Sequence, residues 1–200
     1  MNKSEEVARR IDPRDLVLAV VAARGTVPGR TVLQKISYFL NTALDLRIGF
    51  KPYFYGPYSE ELAVATDSLV GYGFLEEESL PLSVVKEDES DFDSRQYKYS
   101  LTARGKKLVE IRKEKIAEYK LIGEKISELK KSGLDLQSAS FLAAVAKITF
   151  IVMRENRRLS RNEISAIARD LGWKLSPQQI EQLLKFLTMA NGPKALQVSA

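Results

Sequence analysis

This 200-residue chain contains no cysteine and no histidine. That double absence removes disulfides, thiolate nucleophiles, imidazole proton relays, and zinc sites built on sulfur or imidazole nitrogen. There is one tryptophan, and no Gly-x-Gly-x-x-Gly or Gly-x4-Gly-Lys-Ser/Thr loop to cradle a nucleotide phosphate. Long apolar runs are also missing. The longest, 141–153, is interrupted by Lys147 and falls short of the ~20 residues that cross a bilayer. The apolar run 16–23 follows Glu5, Glu6, Asp12 and Asp15, where a secretory leader would carry positive charge. Paired carboxylates are uninformative: the adjacent Glu60 and Glu61 diverge by about 100° on a helix rather than flanking a bond. Asp88, Asp91 and Asp93 lack the central glycine and distal glutamate of a calcium loop. The expectation is a cytoplasmic protein with no targeting segment, membrane span, metal, cofactor or catalytic activity.

What the chain does contain is a globular composition, 44% apolar and 28% charged, with a net charge of +5. The distribution of that charge says more than its size. Segments 1–72, 73–102, 103–133 and 134–200 balance to +1, −5, +5 and +4. An acidic middle therefore faces a basic C-terminal half, and the basic half points to a polyanionic partner.

The stretch 50–62, Phe-Lys-Pro-Tyr-Phe-Tyr-Gly-Pro-Tyr-Ser-Glu-Glu-Leu, organises the first half. It reads as an aromatic strand stopped at Gly56-Pro57, with Tyr53 and Tyr55 on one face and Phe54 on the other. Ser59 then caps a helix running to Gly71, with Glu60 and Glu61 at its positive end. Two uses suit the stretch: a packed strand–helix corner, or an exposed tyrosine-rich recognition surface. Before it, Asp12 and Pro13 open a helix that Gly25 ends. After the Pro28-Gly29 loop, Thr31 is expected to cap a second helix through about Leu44. The spacing of Val32, Leu33, Ile36, Phe39, Leu40 and Ala43 assigns the core face and places Gln34, Lys35 and Asn41 outward.

Beyond Gly73 the period changes to two, and 74–78 and 96–102 read as paired strands joined by a long acidic connection. Three helices followed by a ribbon make a winged helix-turn-helix pattern. The blocks Gly29-Arg-Thr31, Leu33-Gln-Lys35, Tyr38, Tyr55-Gly-Pro-Tyr-Ser-Glu-Glu-Leu62, Gly73-Phe-Leu75 and Tyr99-x-Leu-Thr102-x-x-Gly105 make the resemblance specific. In this order they resemble the YwgA-like family of largely uncharacterised winged-helix proteins. More distantly they are similar to the Panacea domain of phage- and plasmid-borne antitoxins. The resemblance covers residues ~12–108 and implies a winged-helix fold; it supplies no catalytic residues.

Thr102 caps a helix expected to run unbroken from about Ala103 to Lys131. Its seam of Val109, Ile116, Tyr119, Ile122, Ile126 and Leu129 suits either a homodimer through this helix or an intramolecular strut. After Ser132-Gly133, three helices are expected: a buried one over 136–155, one opened by the capping box Ser160/Glu163, and one opened by Ser176/Gln179 with Pro177 at its first position. The predicted class is mainly α with a small β-hairpin wing. It divides as a winged helix-turn-helix domain (1–105), a long connecting helix (106–132) and a C-terminal tri-helical, HTH-like domain (133–200).

The usual reading helix of such a fold, 59–70, carries Glu60, Glu61 and Asp67 and no cation. The wing segment adds Glu76, Glu77, Glu78, Glu87, Asp88, Glu89, Asp91 and Asp93 against Lys86 and Arg95. Both should repel duplex DNA. Candidate DNA contacts lie instead at Arg154, Arg157, Arg158, Arg161, Lys174, Gln178, Gln179, Gln182 and Lys185, with Arg104, Lys106 and Lys107 as a second set. A solvated helix face explains the same residues. The leading expectation is a transcriptional regulator binding double-stranded DNA as a homodimer. The alternative is a protein-interaction module, antitoxin-like or an adaptor, using Tyr53, Tyr55, Tyr58, Glu60 and Glu61.

Overall fold

The computed structural model describes residues 11–80 and 96–189. It is mainly helical with two small antiparallel sheets. Asp12 caps α1 (Pro13–Arg24) by accepting the Arg14 amide at 2.8 Å, and Pro13 fills the first helical position. Residues Leu16 to Val21 are all buried, so α1 is a central rod rather than an amphipathic surface helix. Helices α3, α4 and α5 and the main sheet pack around it.

Three residues expected as loop, β1 (Thr26–Pro28), form an edge strand. α2 (Gly29–Leu44) follows directly, without a side-chain cap: Thr31 lies inside its first turn and caps nothing. The aromatic stretch is a hairpin and not one strand. β2 (Lys51–Tyr53) and β3 (Gly56–Tyr58) pair across a two-residue turn, with Tyr53 opposite Gly56 and Lys51 opposite Tyr58. Gly56 sits at φ +94°, where a Cβ would also come within 3.1 Å of Lys147 Cγ. Ser59 caps α3 (Glu60–Gly71) through the Leu62 amide. β4 (Leu75–Leu80) and β5 (Gln96–Leu101) pair as expected, and β1 adds to β5, giving the order β1-β5-β4. Most of the acidic connection, including Glu87, Asp88, Glu89, Asp91 and Asp93, lies outside the described residues.

The expected long helix is two helices. α4 (Ala103–Lys115), capped by Thr102, stops at an extended Ile116, and α5 (Glu118–Lys131) starts anew. No glycine or proline marks the break. It lets both segments fold back on α1, burying Val109, Tyr119, Ile122 and Ile126 within the same chain. Val109, Tyr119, Ile122 and Ile126 are thus covered within the chain, as the intramolecular strut expects, while Ile116 and Leu129 stay half-buried.

Ser138 caps α6 (Ala139–Glu155), which packs on α2 and β3. α7 (Arg161–Asp170) opens with the expected reciprocal capping box. α8 (Pro177–Met189) opens with Ser176 and Gln179 exchanging side-chain and backbone bonds. One continuous apolar core runs from Ile11 to Leu184 across all three segments read from the sequence. Among the described residues, no helix is long and apolar enough to cross a membrane.

Candidate interaction surfaces

The Leu33-Gln-Lys35 and Tyr55-Gly-Pro-Tyr-Ser59 blocks meet in space. Gln34 Nε2 donates to the Ser59 carbonyl and the Ser59 amide donates back to Gln34 Oε1, both at 2.9 Å. Lys35 Nζ donates to the Pro57 carbonyl at 2.8 Å. Both side chains are buried, at 5% and 2% exposure, against the outward placement expected from helical spacing. The reason is the backbone between β3 and α3. Its amide and carbonyls leave the hairpin ladder before the helix begins, and buried polar groups need partners. Two polar side chains on α2 supply them. Asn41, the third residue expected outward, is half-buried and accepts the Ile48 amide at 2.9 Å.

The same corner is held from the other side. Lys147 on α6 approaches Gly56, and Trp173 Nε1 donates to the Tyr53 carbonyl at 2.6 Å. Phe150 bridges the Trp173 and Tyr38 rings. Burial, followed by the charge on Lys147, lowers the Lys35 ammonium to about 7. Burial also depresses Lys147. The two blocks thus form an internal joint whose polar atoms face inward.

What remains on the outside is aromatic and acidic, apart from the exposed Lys51 opposite Tyr58. Tyr53 and Phe54 are 55% and 74% exposed, while Tyr55 and Tyr58 are half-buried. The turn at Phe54-Tyr55 breaks the expected alternation and brings Tyr53 together with Phe54 and Tyr58. Ring centroids lie 5.0 Å apart for Tyr53–Phe54 and 5.1 Å for Tyr53–Tyr58. Phe54, the most exposed of the three, is absent from the sequence-predicted site; only the hairpin register reveals it. On α3, Glu60, Val64 and Asp67 share one exposed face at helical spacing. Glu61 is also exposed but lies toward Gly49. Arg30, beside this face, is engaged by Asp67 at 2.7 Å, by Glu77, and by the Tyr99 hydroxyl at 2.9 Å.

The basic candidates fall into two separate groups, because α4 packs on α1 and β5 whereas α7 and α8 pack on α6 and on each other. In the C-terminal group Arg154, Arg157, Arg158, Arg161, Lys174, Gln178, Gln182 and Lys185 are exposed. Several are already engaged. Arg157 pairs with Glu163 at 2.7 Å, Arg161 and Lys185 both reach Glu181, and Gln179 Oε1 accepts the Ser176 amide. The Ser160 backbone and the Arg157 guanidinium pull Glu163 down to about 2. Gln178, Gln182 and Lys185 nonetheless share one outward face of α8. In the α4 group, Lys106 and Lys107 are exposed, and Arg104 donates to the Tyr72 carbonyl and lies 4.9 Å from the Phe74 ring centroid.

Arg112 belongs to neither surface. It clamps the buried Asp15 through two bonds, and the Tyr119 hydroxyl adds a third at 2.9 Å.

The sequence of this mainly helical chain matches no family model. It is similar to the uncharacterized protein YwgA of Bacillus subtilis (strain 168), with 37% identity over 93 residues. That match covers 44% of this chain and 49% of YwgA, so the chain spans about half the length of the curated relative it matches.

Proposed function

We propose that this chain is a winged-helix protein whose α3 face binds a protein rather than duplex DNA. In that reading α1, α2 and α3 are the tri-helical unit, β4–β5 is the wing, and α3 stands where a reading helix would. One observation carries it. The outward face of α3 offers Glu60, Val64 and Asp67, and the adjacent Arg30 is neutralised by two carboxylates of its own chain. Phosphate binding requires cations to displace counterions, so this face repels a duplex and attracts a basic protein surface. An adaptor or antitoxin-like module acting in the cytoplasm by binding, without catalysis, fits the same surface and the Panacea resemblance.

A second reading rests on α8. Gln178, Gln182 and Lys185 line one exposed face beyond the short turn from α7, with Lys174 in that turn. Glutamine pairs with adenine edges in the major groove, which makes α8 the candidate reader of a DNA-binding regulator. Crosslinking the full chain in its own cells separates the two readings. The first expects a protein adduct that is lost when Glu60→Gln and Glu61→Gln are combined. Salt-dependent duplex binding that Arg157→Ala with Arg158→Ala weakens would move the assignment to the second.

A further inference from the structure

The aromatic cluster at the hairpin tip needs an explanation that packing does not provide. Tyr53 and Phe54 are among the most exposed large apolar residues of the protein, and they sit side by side. Their position is rigid. The turn between β2 and β3 has only two residues, Gly56 is wedged against the Ala143 carbonyl and Lys147, and Trp173 anchors the Tyr53 carbonyl. A contiguous exposed apolar patch held this firmly marks a contact surface.

The chemistry of the contact follows from the rest of the molecule. Three other aromatic faces each carry a cation from this chain: Arg104 over Phe74, Arg30 over Tyr97 and Lys147 over Trp173. Among the described residues no cation lies over Tyr53, Phe54 or Tyr58. One face of Tyr53 meets Tyr58, and exposed Lys51 stands across the hairpin from Tyr58, but the outer faces of Tyr53 and Phe54 carry no cation. Glu60 follows Tyr58 by two residues and has no cationic partner among the described residues, whereas Asp67 is already held by Arg30. Open ring faces bordered by an unpaired carboxylate form a seat for a guanidinium or ammonium group.

We infer that the tip of the β2–β3 hairpin and the first turn of α3 form a receptor for an arginine- or lysine-rich segment of a protein partner. A cationic side chain lies on Tyr53 and Phe54 and pairs with Glu60. The inference rests on the protein-interaction reading and names what the partner presents. General electrostatic attraction does not produce such binding here, because the whole chain is itself positive at +5.

The test uses the full chain, a fluorescein-labelled octa-arginine peptide as probe, and an octaglutamate control, in about 0.15 M salt. Anisotropy reports binding, and the single tryptophan, bonded to the Tyr53 carbonyl, gives a second signal from the hairpin itself. Tyr53→Leu with Phe54→Leu keeps the patch apolar but removes both ring faces. It is expected to weaken octa-arginine roughly five- to thirty-fold, with an unchanged melting temperature. Glu60→Gln is expected to weaken it about three-fold. Equal affinity in the leucine variant overturns the aromatic seat; if Glu60→Gln with Glu61→Gln still weakens binding, the acidic-face reading survives without it. Self-association of the wild type that the leucine pair abolishes would make a second copy the occupant and overturn the inference. No binding of octa-arginine by the wild type also overturns it, and the crosslinking test then stands alone for the broader reading.

Discussion

Two buried charges, Asp15 on α1 and Lys35 on α2, have opposite surroundings. Asp15 is 3% exposed and receives two bonds from Arg112 and one from Tyr119, so its charge is compensated where it lies. Lys35 is buried as deeply, but its Nζ meets a neutral carbonyl and the nearest charge, Lys147, is of the same sign. The first arrangement welds α4 and α5 to α1. The second joins α2, the hairpin and α6 through an amine that titrates near 7. Equal burial thus gives a fixed node in one place and a proton-dependent one in the other, because a partner charge offsets desolvation only where it exists.

The largest effect is expected at Asp15. Asp15→Ala strands the Arg112 guanidinium and removes the acceptor of a buried tyrosine. A loss of about 3–5 kcal/mol is expected in urea unfolding, toward the lower end because Arg112 is partly solvated. A loss below about 1 kcal/mol would show that the node does not tie the helices.

Lys35 makes stability depend on pH. An unfolded lysine titrates near 10.5 and the folded Lys35 near 7, so between these values the folded chain holds fewer protons than the unfolded one. Stability therefore rises with pH across that window and is lowest below about 7, with a limiting slope of ~1.4 kcal/mol per pH unit. Above about 10 the trend reverses. Tyr38, Tyr99 and Tyr119, held above the ordinary phenol range chiefly by burial, keep protons that the unfolded chain releases. Lys35→Met should flatten the rise between pH 7 and 9.5 in a series of urea titrations. A rise unchanged in that variant would assign the proton to another group, Lys147 first.

The smallest effect is expected where ion pairs face water. Arg157→Ala removes the Arg157–Glu163 contact on the exposed turn before α7, leaving the capping box intact. Its melting temperature should stay within about 1–2 °C of the wild type by calorimetry. A larger drop would place that arginine in the structural frame and weaken its candidacy as a surface for any partner.

Helix starts were legible because a cap is a local event. Asp12-Pro13, Ser59, Thr102, Ser160 with Glu163 and Ser176 with Gln179 each satisfy backbone amides within three residues. Gln34 and Lys35 were not legible, because helical spacing sorts side chains by polarity and these are polar side chains whose partners are backbone atoms more than 20 residues away. β1 is not legible because its three residues carry too little alternation to register. At Ile116 a good helical sequence was interrupted by what its two halves pack against. For the candidate surfaces, the acidity of α3 was readable from Glu60, Glu61 and Asp67. The exposure of Phe54 was not.

By itself, then, the amino-acid order determined which chemistries are absent, where helices begin and what sign of charge α3 presents, since each depends on residue identity or on neighbours within one turn. Only the tertiary structure decided which polar residues turn inward, that the α4–α5 seam is covered by α1, and that Tyr53 joins Phe54 and Tyr58 at an open edge. Those outcomes depend on which distant backbone groups and apolar faces are brought together, and local spacing along the chain carries no record of that.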